Sequence, residues 1–209
     1  PIVGGLSSVY GLQGIPNSLL QRVEVVKGPA STLYGSEAVA GLINVLTKDV
    51  ECAPKFSLNI SSTSWMEIQT DFMFKYAENK KVSGIFAADY HNYSNPIDNN
   101  GDNFTDLTLK DRISIFNKWS VNRKDKKKSV FSARYLYEDR WGGEMQWNNS
   151  FRAGDSIYGE SIFTNRAELI GKHELPIKEN IVLSGSFSYH GHDSRYGLVK
   201  YVANQQIAF

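Results

Sequence analysis

One cysteine, Cys52, stands in a chain of 209 residues. It excludes an internal disulfide and leaves no pair of thiolates for a structural metal site. No run approaches the roughly 18 consecutive apolar residues of a transmembrane helix, although 41% of the residues are hydrophobic. Neither sign of charge dominates: 23 Lys+Arg face 22 Asp+Glu, a net charge of +1. That balance lacks the basic footprint of a nucleic-acid binder. Catalytic signatures are missing too, with no Ser-His-Asp spacing, no metalloprotease motif and no phosphate-cradling glycine loop. An enzyme is not expected, and no cofactor is required.

What is present is alternation. From residue 55 onward apolar side chains recur at every second position, the period of a strand with one face against an apolar medium. Met66, Ile68, Phe72, Phe74 and Tyr76 alternate with Glu67, Gln69, Asp71 and Lys75. Leu109, Ile113, Ile115, Trp119 and Val121 alternate with Lys110, Arg112, Ser114, Lys118 and Ser120. Phe131, Ala133, Tyr135 and Tyr137 do so with Ser132, Arg134, Glu138 and Arg140, and Leu183, Phe187 and Tyr189 with Ser184, Ser188, His190 and His192. This predicts about seven antiparallel strands, or eight, in an all-β protein with no helix beyond short turns. Short charged connections at 78–81, 123–128 and 176–180 alternate with long ones at 94–106 and 141–160. Transmembrane barrels sort their loops by end in this way. A soluble β-sandwich binding module has no reason to do so. A small structural outer-membrane barrel of eight strands fits the loops, but its interior has no room for a second element.

The segment 20–48 is of another kind. Val23, Val25 and Val26 form one apolar strand and Leu42, Ile43, Val45 and Leu46 another, with Gly28, Gly35 and Gly41 between them supplying backbone freedom for tight reversals. Arg22, Glu24, Lys27, Gly28, Pro29, Ser31, Tyr34, Gly35, Ala38, Gly41, Asn44, Thr47 and Lys48 fall on a fixed-spacing pattern that resembles the C-terminal part of the plug of TonB-dependent outer-membrane receptors. The resemblance implies a bacterial outer-membrane location and a plugged barrel of 22 strands. It divides the chain into the last part of the plug (1–48), a linker (49–54) and the first part of the barrel (55–209). It also implies uptake of a large scarce nutrient, namely a ferric siderophore, haem or cobalamin. The drive comes from the TonB complex acting on a plug segment that this sequence does not include. The bilayer and, in some systems, a surface lipoprotein are further partners. Pro1 is not an initiator and no signal stretch precedes the plug motif, so the chain is expected to be an internal piece.

Candidate site residues follow from both readings. By resemblance, Arg22, Glu24 and Lys27 would pair with wall carboxylates, for which Glu138 and Glu168 are available, because a charge buried in a lumen is costly unless paired. Val9, Tyr10 and Leu12 in the glycine-rich start would touch cargo at the plug apex. His190 and His192, two apart on one strand face, suit a haem or metal-chelate cargo. The stretch 98–106 places Asp98, Asn100, Asp102, the Phe104 carbonyl and Asp106 in the order of a short calcium loop, with Asn103 where glycine is usual. Hard oxygens of this kind suit Ca²⁺. The stretches 61–65, 94–106, 141–160 and that following His192 are expected at the cell exterior.

Overall fold

The computed structural model describes residues 14–28, 41–123, 127–177 and 181–208. Among them every regular element is extended except two single-turn 3-10 helices, Asn17–Leu19 and Asn149–Phe151. Two antiparallel sheets result. Strands β1 (Leu20–Lys27) and β2 (Gly41–Thr47) pair as the valine and leucine pattern predicts, from Lys27 opposite Gly41 to Leu20 opposite Thr47. Gly41 sits at φ +127°, where a Cβ would strike the Val26 carbonyl, so glycine is demanded there.

The second sheet is a meander of eight strands in sequence order: β3 (Phe56–Ser62), β4 (Ile68–Glu78), β5 (Val82–Tyr93), β6 (Leu109–Asn122), β7 (Lys128–Gly143), β8 (Gly159–Glu174), β9 (Val182–Tyr196) and β10 (Val199–Ala208). Eight is the upper of the two strand counts expected from the alternation. β10 replaces the exterior loop assigned to the residues after His192 and turns back through residues 197–198 alone. Its outward positions include Asn204 and Gln206, so apolar alternation does not mark it. Loop sorting holds in the middle of the sheet, with 94–108 and 144–158 long at one end and 79–81, 123–127 and 175–181 short at the other.

Register fixes the faces, since residues opposite one another share a side. Phe74, Phe86, Ile115, Tyr135, Leu169 and Phe187 lie outward, and Phe72, Phe74 and Phe86 cluster with ring centroids 5.6–6.4 Å apart. Inward lie Asp71, Asp89, Arg112, Arg134, Glu138, Arg166, Glu168, His190 and His192. The sheet is thus inside out relative to a soluble protein. Its exposed face is apolar and its buried face polar, as the alternation predicts. Trp119 and Trp141 lie near strand ends, whereas Tyr189 falls in the middle of β9, so it does not belong to a terminal aromatic girdle.

Candidate functional site

The inner wall holds the first sheet at a small set of points. Leu19, Val50 and Ala53 pack against Met73, Ile85, Ala87 and Phe116 of β4–β6 in an apolar cluster on that wall. Each fully buried Leu or Val contributes about 1.5–3 kcal/mol. Polar contacts surround this base. The Ser18 N–H donates to both carboxylate oxygens of Asp71, each at 3.2 Å, and Asp71 is only 1% exposed. Lys48 Nζ donates to the Ser18 carbonyl at 2.7 Å. Lys118 Nζ donates to Thr47 Oγ1 at 3.1 Å and to the Lys48 carbonyl at 2.9 Å. The chain reaches this seam at Gly14, φ +70°, where a Cβ would run into Leu136. Neither Asp71 nor Lys118 stood out in the sequence, because each is one more polar residue on an alternating strand.

Below the seam, the connection between the sheets turns through Asp49, whose carbonyl accepts from the Cys52 and Ala53 amides. Glu51 reaches both neighbouring strand ends, accepting from Lys128 Nζ at 2.9 Å and Asn122 Nδ2 at 3.0 Å. The Lys128 ammonium first, and then the Asn122 amide, hold its carboxyl below the usual carboxylate range.

The expected pairing of plug cations with wall carboxylates is corrected by the geometry. Arg22 Nε donates to Glu24 Oε1 on its own strand at 2.7 Å, and Asn44 Nδ2 donates to Glu24 Oε2 at 3.0 Å. The Asn44 amide, then the Arg22 guanidinium, keep the Glu24 carboxyl below its ordinary range. Lys27 makes no ion pair among the described residues. Glu138 is engaged by Arg140 at 2.7 Å and Arg112 at 3.8 Å, and Glu168 by Arg134 at 3.1 Å and Arg166 at 2.9 Å. The physical reason is distance along the strand face. Neighbouring strands already place arginines beside each carboxylate, so both are neutralised within the wall.

His190 and His192 do share the inner face, with ring centroids 6.3 Å apart. His192 Nε2 lies 2.5 Å from Ser194 Oγ. Val9, Tyr10 and Leu12 lie outside the described residues. The loop 98–106 adopts the left-handed conformation expected at Asn103, φ +69°. Its carboxylates, however, turn onto its own backbone. Asp98 accepts from the amides of Gly101, Asp102 and Asn103, Asp102 from that of Phe104, and Asp106 from that of Asn99. Asn100 accepts from the Asp102 amide. Among the described residues no three His, Cys, Asp or Glu side chains converge as a metal group. The loop is instead tied to the next one. Met145 N–H donates to the Asn103 carbonyl and Thr105 N–H to the Gly143 carbonyl.

Comparison with known proteins bears on the same regions. Residues 1–42 match the family model of the TonB-dependent receptor plug domain. The vitamin B12 transporter BtuB of Vibrio vulnificus (strain CMCP6) is 38% identical over 69 residues. That match takes in 33% of this chain and 11% of the relative.

Proposed function

From the premise that the chain is part of a TonB-dependent receptor, we propose that it is the end of the plug and the first eight strands of a 22-stranded outer-membrane importer. On this reading residues 1–48 belong to the plug, 49–54 link it and 55–209 belong to the barrel. The observation that carries the proposal is the inverted sheet: a polar inner wall fastened to the plug strands through Asp71 and Lys118, and an apolar outer one. The outer face also has the right height. Asp111, Asp139 and Asp193 occupy outward positions at one level. Below Asp111 the outward face of β6 carries Ile113, Ile115, Asn117 (accepting from the Tyr76 hydroxyl) and Trp119 down to Val121. The eight residue steps from Ile113 to Val121 at about 3.3 Å each, tilted by roughly 40°, give about 20 Å, close to the roughly 25 Å apolar band of an outer-membrane barrel.

The cargo is a large scarce nutrient, and the relative's vitamin B12 specificity favours cobalamin over haem or a ferric siderophore. TonB drives import through the plug, the protein acts as a transporter rather than an enzyme, and a surface lipoprotein is an optional partner. Val9, Tyr10, Leu12, His190 and His192 are its proposed cargo contacts. Calcium binding by Asp98, Asn100, Asp102, Phe104 and Asp106 belongs to the same proposal, since a carboxylate that accepts from a backbone amide keeps further lone pairs for a cation. Titration of the folded receptor with millimolar Ca²⁺ tests it, and a flat calorimetric trace removes it. For the main reading, the full-length receptor in detergent is titrated with cyanocobalamin, haem and a ferric siderophore while tryptophan fluorescence is followed. Submicromolar saturation by cyanocobalamin is expected; no response to any of the three refutes the proposed cargo class.

A further inference from the structure

Apart from Met73, Ile85, Ala87, Phe116 and Leu136, the inner wall is polar, but among the described residues its satisfaction is uneven. On β6 and β7, Arg112 and Arg140 meet Asp89 and Glu138. On β8 and β9 the donors outrun the acceptors. Arg166, 3% exposed, gives one Nη2 bond to Glu168, while its Nε and Nη1 meet no acceptor. Glu168 is itself divided between Arg166 and Arg134. Directly opposite Arg166 stands His190, 4% exposed, with neither ring nitrogen bonded. One level above, Thr164 is 2% exposed and its Oγ1 is also without a partner.

Each buried polar group left unsatisfied costs about 1–3 kcal/mol, and more when it is charged. A guanidinium, an imidazole and a hydroxyl, all buried and unsatisfied on adjacent strands, share one remedy. An oxygen-bearing anion accepts from Arg166 Nε or Nη1, from a protonated nitrogen of His190 and from Thr164 Oγ1 at once. A cation meets the lone pairs of the hydroxyl and of a neutral imidazole but not the Arg166 guanidinium, and an apolar group satisfies none of the three. Two histidines alone, the basis for expecting a haem or metal ligand, are a weaker fit, because His192 is already committed to Ser194 and no third ligand joins them among the described residues.

We infer that Arg166, His190 and Thr164 form an anion-binding site in the barrel wall that takes a phosphate or carboxylate group. The inference rests on the importer reading for its biological ligand, the anionic group of a passing cargo, but not for its chemistry. Arg166 supplies the charge, and His190 and Thr164 fix the oxygens. Because the site lies mid-strand, below the level of the long loops, it holds cargo during passage rather than at first capture.

The first test uses inorganic phosphate alone. The full-length receptor in detergent is titrated calorimetrically, wild type against Arg166→Gln. Saturable binding by the wild type that the variant loses is the expected result; identical titrations, including no binding by either, overturn the site. Should Arg166→Gln fail to form a barrel, His190→Ala and Thr164→Val carry the same readout with a partial loss each. The second test compares cyanocobalamin, which bears a phosphodiester, with dicyanocobinamide, the same corrin without it. A weakening of about tenfold for the first alone in Arg166→Gln, or ~1.4 kcal/mol, assigns the anion to the cargo. Unchanged affinity for both corrins, with phosphate binding lost, assigns the site to a free anion. A wild type that takes phosphate but no corrin overturns the cobalamin reading and leaves the site standing.

Discussion

Replacing Asp71 by alanine removes the one acceptor that the wall offers to the Ser18 amide. Asp71 lies 53 residues away in sequence and is almost fully buried, and both its oxygens sit 3.2 Å from that nitrogen. A hydrogen bond to a charged group contributes about 1.5–3 kcal/mol. If ~2 kcal/mol of local opening free energy is lost, exchange of the Ser18 amide with deuterium accelerates about thirtyfold, since 1.4 kcal/mol is tenfold. This holds where reclosing outruns exchange, as in the interior of a folded barrel. Asp71→Asn keeps a carbonyl oxygen in place and retains a neutral bond of about 1 kcal/mol, so its acceleration is smaller. The amides of β5 and β6 serve as internal controls, because their ladder bonds do not involve the carboxylate. The assay is peptide-resolved hydrogen exchange on the full-length receptor. A Ser18 amide that exchanges at the wild-type rate in Asp71→Ala, with β5 and β6 still protected, refutes the role of this contact in holding the plug.

Lys118→Met leaves the Lys48 carbonyl without its ammonium donor, and is expected to lower stability by about 1–3 kcal/mol, read from the urea midpoint of the full-length protein. Glu51 predicts a pH dependence. Its carboxyl is depressed in the folded state by Lys128 and Asn122, so its contribution is present above the ordinary carboxylate value of about 4.3 and is lost as pH falls through the lower folded value. Because the side chain is 40% exposed, solvent screening keeps that contribution below about 1 kcal/mol. The difference in midpoint between wild type and Glu51→Gln should vanish at acid pH and persist at pH 7. At the start of β8, Gly159→Ala drives a methyl into the Trp147 indole, whose neighbour Arg152 stacks on Phe163 with its guanidinium 4.0 Å from the ring centre and binds Asp139 through two bonds. Expulsion of the indole should red-shift the tryptophan emission, at a cost of about 1–3 kcal/mol.

The faces of the wall were legible because a strand side chain has only two directions. Once Phe72, Phe74 and Tyr76 mark the outward side, Asp71 and Lys75 are inward without further information. The plug strands were equally plain, from their valine and leucine runs and from the glycines that bound them. What stayed hidden was anything settled between distant parts of the chain. Ser18 finds Asp71, and Lys118 finds Thr47 71 residues away, through register, which no local pattern encodes. The ion pairs went wrong for the same reason. Glu138 and Glu168 were read as open to the plug because their cross-strand arginines were not yet neighbours. β10 was missed because Asn204 and Gln206 break its outward apolar period, so a strand held by pairing to β9 read as a loop.

The seam also sets how the plug strands respond to traction. In an antiparallel pair the start of one strand lies beside the end of the other. Here Leu20 begins β1 next to Thr47 at the end of β2, and Lys118 moors that end to the wall. A pull on the chain ahead of Gly14 meets the Ser18–Asp71 bond first. Once that yields, tension and anchor bear on the same end of the β1–β2 pair. The strands then part like a zip, one rung at a time from Leu20 toward Lys27, instead of sliding past one another with every rung loaded together. Peeling of this kind needs little force at any instant but a long travel. The arrangement therefore favours separation at low force over a long extension.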